Sequence, residues 1–148
     1  MTLRYKNCLS YDDVLLEPKF SDIRSRSEID ISVDLGIGLE LPLPIVASPM
    51  DTISESTMAV AMANHGGAAI IHRYNSIEEQ IRQIKMAYAY SNMTSSRDLM
   101  IGGAVGISGD FIERAIMLND EFVNFICVDV AHGHHILMKE ALGRLRAA

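Results

Sequence analysis

Tryptophan is absent from these 148 residues, cysteine occurs twice and proline four times, and acidic side chains outnumber basic ones by 19 to 13. Each scarcity closes off a class of protein. Cys8 and Cys127 have neither the number nor the spacing of a disulfide framework or a paired-cysteine zinc site, so both are read as reduced thiols of an intracellular protein. A formal charge of −6 would repel nucleic acid and anionic membranes, so neither is expected as a partner. No apolar run reaches about 18 residues, and no basic stretch leads into an apolar one at the amino end. Membrane insertion and export are therefore not expected, and the cytoplasm is. With 49% hydrophobic residues the chain can bury one sizeable core, largely aliphatic and filled by nine methionines.

What the sequence does contain is a repeat. Four apolar runs, "LPIVAS" (43–48), "GAAIIH" (67–72), "LMIGGAVGI" (99–107) and "VNFICVDV" (123–130), are apolar on both alternating faces, as parallel strands covered on each side should be. Helical patterning follows each one. Thr52 and Glu55 have capping-box spacing before "STMAVAMANH", and Gly66-Gly67 offers a left-handed stop. Ser76 and Glu79 repeat the device before Ile77, Ile81, Ile84 and Tyr88, which share one stripe. Ser108 and Asp110 suit a third helix start, with Phe111, Ala115 and Leu118 on one face, and Leu137, Ala141 and Leu145 line a fourth helix.

Equivalent strand positions near Ile45, Ala68, Ile101 and Phe125 are 23, 33 and 24 residues apart. This β/α cadence is expected to fold as a doubly wound sheet or a barrel. A closed barrel needs eight units in about 250 residues, and four are counted here, so the expectation is the first half of a (β/α)8 TIM barrel over residues 43–148. Residues 1–42 are expected to be an irregular arm with one short hairpin or strand, because Pro18 breaks "DVLLE" and Pro42 and Pro44 hold the entry to the first strand extended.

In both architectures ligands gather at the carboxyl ends of the strands. That rule selects "SPMDT" (48–52), "HRYNS" (72–76), "GISGD" (106–110) and "DVAHGHH" (129–135). Asp129, ending an apolar strand, needs a partner to offset its desolvation; ribose hydroxyls or an amide would serve, or it could cap the following helix. His132, His134 and His135 crowd around Gly133 with no supporting Cys, Asp or Glu cluster, so no metal is assigned and a tight polar turn is expected. Cys127 shares a strand face with Asp129 and, buried, should stay protonated and inert; Cys8 has no basic partner in view.

Taken in order over roughly residues 9–142, "YDDVLLEPKFSDIRSRSEIDIS", "LPIVASPMDTISESTMAVAMANHGGAAIIHRYNSIEEQ", "GGAVGI" and "VDVAHGHH" resemble the amino-terminal half of the inosine monophosphate dehydrogenase and GMP reductase family. The resemblance implies a (β/α)8 barrel, NAD or NADP as cofactor, IMP or GMP as substrate, and a homotetramer for the intact protein. It places Ser48 and Met50 at the purine nucleotide, with Met50 packed on the base. It places Asp129 at the nicotinamide riboside, followed by Val130 and Ala131, and adds Ser25, Arg26 and Arg73 at the cofactor. His135 departs from the more usual "HGHS".

The family's covalent step requires a cysteine in a later glycine-rich loop attacking C2 of the purine, and no such loop occurs here. The later phosphate-binding glycines and the flap that activates water are also outside this sequence, as is the site of any monovalent cation. No catalytic residue is therefore assigned, and the chain is expected to be a fragment that is inactive alone and pairs with a complementary half barrel or with itself. No insertion of paired cystathionine-β-synthase-type repeats lies between "SIEEQIRQIK" and "GGAVGI". "SPMDTISES" and "GGAAIIHRYNSIEEQ" lean toward the dehydrogenase, which converts IMP and NAD to XMP and NADH. "SRSEID" and "FICVDVA" lean toward the reductase, which converts GMP and NADPH to IMP and ammonia. The dehydrogenase is preferred narrowly, and a non-catalytic nucleotide-binding or subunit-interaction module is the alternative of another class.

Overall fold

The computed structural model describes residues 9–36, 38–94, 99–121 and 123–148. The chain divides into two compact units, residues 1–30 and 31–148. In the first, two 3-10 turns span Tyr11–Asp13 and Arg26–Glu28. Asp13 Oδ2 accepts from the backbone N–H and the hydroxyl of Ser10 at 2.8 and 2.9 Å, which holds its carboxyl below the usual range. Cys8 lies outside the described residues.

The second unit opens with an antiparallel hairpin, β1 (Val33–Asp34) and β2 (Glu40–Leu41), in which Val33 faces Leu41. Four parallel strands follow: β3 (Val46–Ala47), β4 (Ala68–Ile71), β5 (Met100–Val105) and β6 (Phe125–Val128). They lie side by side in chain order. Between and after them come α1 (Ser56–Asn64), α2 (Ile77–Thr94), α3 (Phe111–Asp120) and α4 (Ile136–Ala147). This is an α/β fold with a four-stranded parallel sheet.

Each strand is shorter than its apolar run. Pro42 and Pro44 have no N–H to give a ladder, and the Leu43 N–H donates to the Gly66 carbonyl at 2.9 Å, so pairing with β4 begins only at Val46. Beyond Val128 the Asp129 N–H still donates to Val105 O at 2.9 Å, the last rung before the chain turns away.

Helix starts differ from the expected pattern at three points. Thr52 sits at φ +59°, so it cannot serve as the extended cap of α1; Glu55 takes that place. Ser76 Oγ does accept from the Glu79 N–H at 3.2 Å, but the Glu79 carboxylate turns to Arg82 (2.6 and 2.7 Å) and Gln83 (2.9 Å) instead of closing the box. Leu137, expected on the inner line of α4, is largely exposed, whereas Ala141 is buried and Leu145 packs against the core. The stripes of α2 and α3 are as expected: Ile77, Ile81 and Ile84 meet Phe111, Ala115 and Leu118 in one core with Ile71, Ile101 and Val105.

Two polar residues are built into that core. Gln80 is fully buried, and its amide donates to Ile71 O and Ala104 O, both at 3.0 Å, closing the carboxyl ends of β4 and β5. Its Oε1 accepts from buried Arg114 at 2.9 Å, and Arg114 also donates to Asn75 O (3.0 Å) and to Asp110 Oδ2 (2.8 Å). Gly67 is required by a close approach: a Cβ there would stand 2.7 Å from the Ile45 carbonyl oxygen.

Replacing Gln80 by Leu strands two carbonyls and one guanidinium arm, and should cost about 2–4 kcal/mol in urea unfolding. Gly67→Ala should destabilise by about 1–3 kcal/mol, whereas Gly143→Ala, in open space on α4, should stabilise by about 0.5–1 kcal/mol; equal effects would show that the Ile45 approach is not limiting. Glu79 titrates at about 2 rather than 4.5, first because Arg82 and then Gln83 hydrogen-bond its charged form. Its contribution is therefore present above about pH 4.5 and lost as pH falls through about 2. Acid titration of stability in that window should flatten in Glu79→Gln.

Candidate functional site

The loops leaving the four strands carry unlike chemistry. After β3 the chain folds back on itself: Met50 N–H donates to Ser48 O at 2.9 Å, Ser54 N–H to Met50 O at 2.9 Å, and the buried Ser54 hydroxyl to Ser48 O. The turn drives β-branched Thr52 into the left-handed region, a conformation costing about 1–3 kcal/mol that the surrounding hydrogen bonds must hold. It leaves the Ser48 side chain and the Met50 thioether open to solvent.

After β4, His72 is buried at 2% exposure while Arg73 and Tyr74 point outward. Arg73 Nε donates to Asp129 Oδ2 at 3.2 Å and its terminal nitrogen to Asp129 O at 3.2 Å. The guanidinium also lies over the Tyr74 ring at 5.2 Å, and the Tyr74 hydroxyl reaches Asp129 Oδ2 at 3.5 Å. Asp129 therefore does not cap a helix: α4 begins seven residues later, capped by His135, whose Nδ1 accepts from the Leu137 N–H at 3.1 Å. The partner that offsets its desolvation is Arg73. With the two side chains about a third and a quarter exposed, solvent screening keeps this pair near 1 kcal/mol of stability at most. Its larger effect is orientation. Both side-chain contacts fall on Oδ2, and among the described residues Oδ1 meets no donor.

Arg73, Asp129, Val130 and Ala131 line one polar cavity of about 290 Å³ together with Ser108 and Arg114. Ser25 and Arg26 belong to the first unit, where Ser25 Oγ accepts from Ser27 N–H at 3.3 Å and both side chains are exposed. A larger open groove of about 1200 Å³ runs between α3 and α4 past His134 and His135, lined by apolar Ile126, Val128 and Leu142 and also by Asn119, Lys139 and Arg146. His132 and His135 meet edge-on at 6.4 Å, and among the described residues no three His, Cys, Asp or Glu side chains converge as a metal site would need. Burial first, and then the charge of Asp129, push the Cys127 thiol up, so it is protonated at neutral pH.

Sequence reasoning passed over Tyr74, Arg114 and the buried side chain of His72. Arg114 had a readable signal, since Phe111, Arg114, Ala115 and Leu118 share one helical face and a cation on an apolar face must have partners. Tyr74 had none, because its tie to Asp129 spans 55 positions.

The family model for the IMP dehydrogenase / GMP reductase domain matches residues 8–148. The inosine-5'-monophosphate dehydrogenase of Nitrosopumilus maritimus (strain SCM1) is 42% identical over 108 residues, 73% of this chain and 21% of that protein. The GMP reductase of Leishmania donovani is 48% identical over 85 residues, 55% of this chain and 17% of that protein. At 29% identity, the inosine-5'-monophosphate dehydrogenase of Borreliella burgdorferi aligns with 95% of this chain and 45% of its own length. The chain thus spans less than half the length of these curated relatives. With a match that runs from residue 8 to residue 148, it belongs to the IMP dehydrogenase / GMP reductase family.

Proposed function

We propose that residues 43–148 are the first half of a (β/α)8 barrel and carry nucleotide- and cofactor-facing loops of a nicotinamide-dependent purine nucleotide oxidoreductase, an IMP dehydrogenase in preference to a GMP reductase. The observation that carries this reading is the Arg73–Asp129 pair at the carboxyl ends of β4 and β6, which presents, beside a polar cavity, a carboxylate with one oxygen that meets no donor among the described residues. That volume lies at the lower limit of small-molecule pockets, about 300 Å³, so it suits one ribose-sized part of a dinucleotide rather than the whole. Preference for the dehydrogenase rests on "SPMDTISES" and "GGAAIIHRYNSIEEQ".

In this reading the Asp129 carboxylate accepts hydrogen bonds from vicinal ribose hydroxyls, charge-assisted and therefore stronger than neutral ones. Arg73 keeps that carboxylate aimed, and Val130 and Ala131 form the adjoining wall. The nicotinamide ring, when bound, supplies the hydride acceptor or donor. On the neighbouring loop, Met50 offers a polarizable thioether to the face of a purine, and Ser48 a hydroxyl to its nucleotide. Cys127 is not the nucleophile, because reactivity needs a thiolate and its surroundings favour the thiol.

Calorimetric titration of the chain with IMP, GMP, NAD⁺ and NADPH tests the assignment. Asp129→Ala should weaken dinucleotide binding at least tenfold and leave mononucleotide binding unchanged, while Ser48→Ala should do the reverse. Parallel losses in both variants, or no binding of any of the four by the unaltered chain, would count against the reading.

A further inference from the structure

His72 makes contacts that the proposed function leaves unused. Its ring is almost wholly buried, yet it faces two carboxylates of the preceding loop: Nε2 lies 3.3 Å from Glu55 Oε1 and 3.9 Å from Asp51 Oδ1. Its other nitrogen, Nδ1, accepts from the Tyr74 N–H at 3.2 Å, which assigns the ring proton to Nε2 and makes that nitrogen the donor to Glu55. The His72 N–H donates to Ser54 O at 3.3 Å, within the turn that exposes Ser48 and Met50. On the far side the Tyr74 ring stacks on the imidazole at 6.2 Å, and Tyr74 in turn touches both Arg73 and Asp129.

We propose that His72 is a positioning residue: one ring nitrogen clasps the 48–55 loop to the end of β4, the other sets the 73–75 loop, and the two ligand-facing loops are thereby held as one unit. The clasp rests on this geometry alone; the ligands of the two loops rest on the functional reading above. A short acceptor or donor in place of the ring could serve only one side. An asparagine amide overlays the position of Nδ1 and a glutamine amide that of Nε2.

Amide hydrogen exchange on the full chain tests the clasp without any ligand. In His72→Ala, exchange at residues 50–55 and 73–75 should rise at least tenfold while β5 is unchanged. His72→Gln should restore protection of 50–55 only, and His72→Asn that of 73–75 only. Glu55→Gln, at a partly exposed partner, gives a milder form of the first effect should His72→Ala fold poorly. Unchanged exchange in both loops, or equal acceleration in β5, overturns the proposal. In calorimetry His72→Ala should weaken mononucleotide and dinucleotide at least fivefold each, with His72→Gln recovering the first and His72→Asn the second; affinities equal across the variants overturn it. If the unaltered chain binds none of IMP, GMP, NAD⁺ or NADPH while the exchange pattern holds, the functional reading fails and the clasp stands.

Discussion

A parallel sheet ends in carbonyls that have run out of neighbours, and in this fold a buried amide takes two of them. Gln80 reaches from α2 to Ile71 O and Ala104 O, and Arg114 from α3 completes the arrangement by holding Gln80, Asn75 O and Asp110 together. Desolvating a guanidinium costs several kcal/mol unless its donors are used, and Arg114 places its donors on three partners. The loops after β4 and β5 start from these fastened ends. Arg73, Tyr74 and Asn75 on one side and Ser108 and Asp110 on the other consequently have a rigid base, which a binding constellation requires.

From that base the polar groups are arranged by mutual need. Asp129 is placed where its carboxylate would be costly without Arg73, and Arg73 is kept in reach by the face of Tyr74. The preceding loop spends backbone strain at Thr52 to fold Ser48 and Met50 outward, and the Ser54 and His72 contacts stabilise it. Strain and a partly satisfied carboxylate gather at the same end of the sheet, while the opposite features, buried aliphatic stripes and saturated hydrogen bonds, occupy the core. This separation is what a scaffold with an adaptable ligand face looks like.

The chain belongs to the IMP dehydrogenase / GMP reductase family and spans less than half the length of the relatives it matches. Cys127 is held as a thiol, and the groups that meet at the strand ends are hydrogen-bonding and orienting groups. None of the described helices is long and apolar enough to cross a membrane.

Much of the scaffold was legible in one dimension because its rules are local. Period and spacing located every strand and helix of the sheet, and the stripe Ile77, Ile81, Ile84 announced the buried face of α2. Boundaries were less legible, since strand length depends on which N–H groups find partners, and Pro42 and Pro44 delay pairing until Val46. The spacing of Thr52 and Glu55 suggested a cap, yet loop closure places Thr52 at positive φ, where a cap cannot form. The residue types at the strand ends, and hence the family, were determined by the sequence alone. Which of them meet was decided only in three dimensions: Arg73 with Asp129, His72 with Glu55 and Gln80 with Arg114 are separated by 56, 17 and 34 positions, and contacts over such distances follow from how the strands, helices and loops pack together.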